Sequence, residues 1–140
     1  MIATMVPSQN IESIWPKVSI LFEPAVKRAN GKFDINDVFN DLIQQKTSLW
    51  VAASGQDILA AICVRVIDYP KRRFAQYEIV GAKPHTMFSG WIDMLFGLIE
   101  DYAKNAMNCD GIEGGGRPGW AKASALRGYR VTGVFVEKDI

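Results

Sequence analysis

With 140 residues, 49% of them hydrophobic and 22% charged, the sequence has the make-up of one globular domain with room for a sizeable core. A net charge of +1 and a pI near 7.7 give no electrostatic footprint for nucleic acid or an anionic membrane surface. One histidine and two cysteines cannot assemble the usual nitrogen and sulfur metal centres, so no metal is expected.

No apolar run approaches the ~20 residues of a membrane span. Met1 to Pro7 has no basic stretch ahead of its apolar residues, so no signal peptide is expected. Cys63 falls in an apolar strand and Cys109 at a helix end, and both are expected as free thiols.

In chain order, Ile2 to Val6 reads as a short strand. Ile11, Ile14, Trp15, Val18, Leu21 and Phe22 then recur at helical spacing. Pro16 and Pro24 fall inside this stripe and predict two or three short helices rather than one long one. Asn30-Gly31 is a helix-stop signal. Asp34 with Asp37 forms a capping-box pair ahead of the stripe Ile35, Val38, Phe39, Leu42, Ile43. Leu49 to Ala53 is a strand, Ser54 to Asp57 a hairpin turn, and Ile58 to Tyr69 a long strand apolar on both faces, hence central. Pro70 to Arg73 turns the chain into the strand Phe74 to Val80, completing an antiparallel meander.

A loop from Gly81 to Phe88 leads to a helix capped by Ser89 and starting near Gly90 or Trp91. Trp91, Leu95, Leu98 and Tyr102, widened by Ile92, Phe96 and Ile99, give it a broad apolar face. Asp110 to Glu113 is a short strand, Pro118 to Arg127 a short helix stopped at Gly128, and Tyr129 to Glu137 a last strand. Nothing divides the chain, so residues 1–140 are expected as a single α/β (α+β) domain. Its mixed, mostly antiparallel sheet is flanked by helices.

This element order resembles the GNAT acyltransferase superfamily over nearly the whole chain. The meander, the long helix after it, and Ala125-Leu126-Arg127-Gly128-Tyr129 leading into a final strand carry the resemblance. The family binds coenzyme A through backbone N–H groups in a glycine-spaced loop before the long helix. Here Gly81 to Gly90 lacks that spacing, Pro84 removes an N–H, and Met87 and Phe88 add bulk. Gly81, Ser89 and Gly90 are the candidates left for a cofactor. The resemblance offers Glu78 as a general base, Ser124 at the position of a frequent catalytic tyrosine, and Tyr129 beside it. The chain also resembles small phage-encoded proteins of this fold that lack the cofactor loop. It shares the Leu49-Trp50-Val51-Ala52 strand, the Tyr69-Pro70-Lys71-Arg72-Arg73 turn and the Gly116-Arg117-Pro118-Gly119-Trp120 loop.

Other motifs carry less. The run Gly114 to Gly119 matches a dinucleotide-binding glycine pattern, but it follows a meander rather than parallel crossovers. Trp120-Ala121 stand where a phosphate-binding loop needs Lys-Ser/Thr. His85 has no nucleophile elbow near it in sequence. Lys71, Arg72 and Arg73 form a basic turn without a second cluster to extend it. The resulting expectation is a non-catalytic virion or assembly protein, in the virion or host cytoplasm, with no cofactor. It would contact copies of itself or other virion subunits through Gly115, Gly116, Arg117, Trp120 and the basic turn. The alternative is an N-acyltransferase using acetyl-CoA through a degenerate loop.

Overall fold

The structure, a computed structural model, describes residues 1–86 and 90–140. Its elements are β1 (Ile2–Val6), a 3₁₀ turn (Ser8–Asn10), α1 (Ile11–Lys27), α2 (Ile35–Ile43), β2 (Ser48–Ser54), β3 (Asp57–Asp68), β4 (Arg73–Ala82), α3 (Trp91–Asn105), β5 (Gly111–Gly114) and α4 (Pro118–Ala125). The five strands form one sheet in the order β1-β2-β3-β4-β5. Neighbours are antiparallel from β1 to β4. β5 joins β4 in parallel, which is why a crossover helix, α3, must separate them.

Three layers result. On one face α1 and α2 cover Leu49, Val51, Ala61, Cys63 and Ile79 with Val18, Leu21, Phe22 and Leu42. On the other, α3 and α4 cover Trp50, Ile62, Val64 and Tyr77 with Trp91, Leu95, Phe96, Ile99 and Ala123. β3 is central and buried on both faces, as its two apolar sides require. Each fully buried aliphatic side chain contributes roughly 1.5–3 kcal/mol through area removed from water.

Local signals account for most boundaries. Asp34 and Asp37 form the reciprocal capping box that starts α2, with the Asp37 N–H donating to Asp34 at 3.0 Å and the Asp34 N–H donating to Asp37 at 2.9 Å. Gly55, at a φ of 61°, turns β2 into β3. Gly81 has a different reason to be glycine. A Cβ there would lie 2.2 Å from the Leu21 carbonyl oxygen, so α1 rests directly on the β4 backbone.

Two expectations are corrected. The region of Pro16 and Pro24 is one helix of 17 residues, α1. Each proline forfeits a bond to the carbonyl four residues back, on Glu12 and Ile20. Both of those residues are exposed, so the freed carbonyls lie on the solvent side of the helix, while Val18 and Phe22 hold the opposite face on the sheet. Tyr129 to Glu137 is not a strand. The alternation is present, but the segment joins no strand ladder among the described residues, and residues 131–140 are exposed.

Cys63 and Cys109 are both free. They pack with opposite faces of the sheet, so the sheet itself keeps them apart. No helix among the described residues is long and apolar enough to cross a membrane.

Candidate active site

The site grows from an irregularity in β4. Cys63 pairs with Ile79 and Val64 with Tyr77, so Glu78 is one residue too many. Such a bulge breaks the alternation of side chains. Ala75 and Tyr77 face α3, and after the bulge Val80 and Ala82 do so, while Ile79 faces α1 and α2. The parallel ladder to β5 ends at the same place, at Tyr77 opposite Gly114. Beyond it, Glu78 to Ala82 have no strand on the β5 side among the described residues. β4 and β5 therefore part at Tyr77, leaving a stretch of β4 backbone uncovered.

Two polar networks flank the split, one on each face. On the α2 side, Arg65 Nε donates to Glu78 at 2.9 Å and Arg65 Nη2 to Asp41 at 2.6 Å. Burial works against the Arg65 cation, but its bonds to Glu78 and Asp41 outweigh that cost and raise its pKa. Glu78 is thus a held carboxylate, with its side chain about one-third exposed (35%).

On the α3 side, the Tyr77 ring stacks on Phe96 with centroids 4.7 Å apart. Its hydroxyl lies 2.8 Å from that of Tyr129, and Tyr129 donates to Glu100 at 2.7 Å. Arg127 grips the same Glu100 and reaches Asp93 at 3.4 Å. Burial pushes both tyrosine hydroxyls well above their ordinary range. They are proton-bearing donors at neutral pH, not bases.

The third component is the start of α3. Its N-cap is Gly90, at a φ of 91°, with no side-chain cap. The expected cap, Ser89, lies outside the described residues, as do Met87 and Phe88. The first N–H groups of α3 thus receive no side-chain acceptor from the N-cap residue. The indole N–H of Trp91, the first helical residue, is buried without a hydrogen-bond partner among the described residues.

Of the sequence candidates, Glu78 and Tyr129 come to the split. Ser124 does not present a free hydroxyl, because it donates to the Trp120 carbonyl at 2.7 Å within α4. Gly81 is taken up by α1 and Gly90 by the α3 cap, which gives both a structural role. Trp120 is partly buried against the core, edge-on to Trp91 at 5.9 Å, rather than an exposed anchor. Gly115 and Gly116 let the rings of Phe135 and Trp120 lie close to the backbone, and Arg117 stands exposed at the start of α4. In the basic turn Arg73 is tied to Asp68 at 2.9 Å and to the Met107 carbonyl at 2.8 Å, and Arg72 lies over Phe74. Among the described residues, Lys71 is the one of the three without such a tie. Sequence reasoning missed Tyr77, Glu100, Arg65 and Asp41. The one local hint was Ile79-Val80, two adjacent apolar residues where strict alternation allows one.

No family model matches the sequence, and no curated protein matches it. Solved structures do. An aminoglycoside acetyltransferase from an uncultured soil metagenomic sample, solved with sisomicin, is 11% identical with a TM-score of 0.74, over 99% of this chain and 95% of that one. A possible acetyltransferase from Clostridium difficile 630 is 13% identical at 0.67, over 99% and 97%. A transcriptional regulator from Bacillus halodurans C-125 is 16% identical at 0.69, over 99% of each chain. The expectation of a non-catalytic virion protein is corrected on these findings. Several of the similar structures carry acetyltransferase names, and nothing in the comparisons points to a virion or assembly role. The expectation that the chain takes no cofactor loses its footing with it. With a split between parallel strands, a crossover helix beside it and these structural likenesses over its whole length, the chain has a GNAT-like fold.

Proposed function

We propose that the chain is an N-acyltransferase that takes its acyl group from acetyl-CoA or a related thioester. The observation that carries this reading is the parting of β4 and β5 at Tyr77 and Gly114, beside an α3 start whose N-cap residue, Gly90, has no side chain to cap it. The uncovered β4 backbone from Glu78 to Ala82 suits the amide groups of a pantetheine arm. The α3 N-terminus suits its phosphates, through helix-end donors rather than a glycine-spaced loop. Bound there, acetyl-CoA supplies a thioester whose C–S bond breaks as a bond forms between the acyl carbon and an amine nitrogen.

The protein's own groups divide the remaining work. Glu78, the first residue past the split, receives the proton the amine loses, directly or through one water. Arg65 holds that carboxylate in place. Tyr77 and Tyr129, kept protonated by burial and chained to Glu100, wall the opposite face, and the departing thiolate takes its proton from solvent.

Thermal unfolding with and without acetyl-CoA tests the binding step. The expected result is a midpoint that rises by several degrees and keeps rising with ligand concentration. Release of free thiol in the presence of a panel of primary amines tests turnover, and Glu78→Gln should lower kcat by roughly 10²-fold. No shift and no thiol release would sink the reading.

A further inference from the structure

We infer, on the reading of Glu78 as the proton acceptor, that Asp41 of α2 is a positioning residue for the acyl transfer: it draws the Arg65 guanidinium off one Glu78 oxygen and keeps that oxygen open to the amine. Arg65 and Gln76 are partners across β3 and β4, so the Arg65 side chain reaches along the sheet to Glu78, the unpaired residue of the bulge. A bulged residue takes no orientation from the ladder, and its carboxylate goes where its bonds hold it.

The Nε and Nη2 edge of a guanidinium matches the two oxygens of a carboxylate, and an undisturbed pair bonds both evenly. At Glu78 the two bonds are unequal. Nε donates to Oε1 at 2.9 Å, while Nη2 stands 3.5 Å from Oε2. Nη2 is taken instead by Asp41 Oδ2, at 2.6 Å. One Glu78 oxygen is anchored and the other is left at the outer limit of a hydrogen bond. Oε2 is therefore the atom that accepts the proton from the amine nitrogen as that nitrogen bonds to the acyl carbon, and that gives it up to solvent afterwards.

Nothing in α2 itself asks for an aspartate at this position. Asp41 lies in the last turn of the helix, where the helix dipole disfavours a negative charge. Aspartate is also a weak helix former. Its side chain is about one-third exposed (34%) and belongs to neither core cluster. Its backbone carbonyl accepts from the Lys46 and Thr47 N–H groups at 2.9 and 3.4 Å, which any residue would do. What the carboxylate adds is the bond to Arg65. A residue that works against its own helix and serves a group on β3 is placed for the site.

Asp41→Ala, Glu78→Gln and the pair, each in the full chain, test this with acetyl-CoA and the amine of the panel that releases most thiol. Asp41→Ala should lower kcat about tenfold with KM for acetyl-CoA unchanged. In the Glu78→Gln background the same change should cost less than twofold, because no carboxylate remains to be positioned. The unfolding midpoint of Asp41→Ala should stay within about 2 °C of wild type. A crystal structure of Asp41→Ala reads the geometry without activity: the Nη2 to Oε2 distance should close from 3.5 Å to about 2.9 Å. A wild-type chain that releases no thiol sinks the acyltransferase reading and the role of Asp41 with it. A chain that turns over while that distance stays open, or while Asp41→Ala costs the same in both backgrounds, overturns the role of Asp41 alone.

Discussion

The two halves of the sheet are built to different standards. From β1 to the first half of β4, every strand has a neighbour on its paired sides, and α1 and α2 seal one face. From Glu78 onward β4 has no strand on one side among the described residues, β5 is four residues long, and residues 131–140 are exposed. The first half is held by apolar burial and close backbone approach. The second is held by side-chain hydrogen bonds among Tyr77, Tyr129, Glu100 and Arg127. The lesson is a division of labour: the closed half sets the frame, and the open half keeps polar groups and bare backbone available.

Substitutions should expose that difference, the largest effects coming from the closed half. Leu49, fully buried between β2 and the α1/α2 layer, is its test. Leu49→Ala should cost ~2–5 kcal/mol in urea unfolding, because a cavity there cannot collapse. A loss below ~1 kcal/mol would mean that this half is more loosely packed than described. Gly81→Ala comes next. The added methyl meets the α1 backbone, and overpacking of this kind costs ~1–3 kcal/mol.

On the open side, Tyr129→Phe removes the donor to Glu100 and the partner of the Tyr77 hydroxyl, for a loss of ~1–2 kcal/mol. It carries a pH signature too. An acid whose folded pKa is raised favours the fold in its neutral form. That contribution is complete below the unfolded tyrosine pKa of about 10 and is lost as pH rises above it. Tyr129→Phe should therefore flatten the decline in stability above about pH 10. An unchanged alkaline slope would argue that the hydroxyl network does not form in solution.

How much of this was legible in the sequence follows from how local each cause is. The Asp34–Asp37 capping box, the Gly55 turn and the two-sided apolarity of β3 are short-range signals, and the meander with its flanking helices followed from them. The prolines of α1 misled because their cost depends on whether the freed carbonyls face water, which only the packed helix decides. Tyr129 to Glu137 misled in the opposite way: alternation announces the capacity to pair, but a partner has to be present. The site was half legible. Glu78 and Tyr129 were flagged through the family resemblance. Their partners Arg65, Asp41, Tyr77 and Glu100 come from other elements, 13 and 29 positions away in the bonds Arg65–Glu78 and Glu100–Tyr129, and no local pattern links them.

The placement of the two thiols on opposite sides of the sheet has a practical consequence. Cys63 is fully buried and burial pushes its pKa far up, whereas Cys109 is only partly covered and sits just ahead of β5. A maleimide dye offered to the native protein should therefore attach at one position without any cysteine being engineered away. That position stands at the Phe74–Gly111 end of the β4–β5 ladder, so a fluorophore there would report on the paired end of these strands and not on their parting at Tyr77.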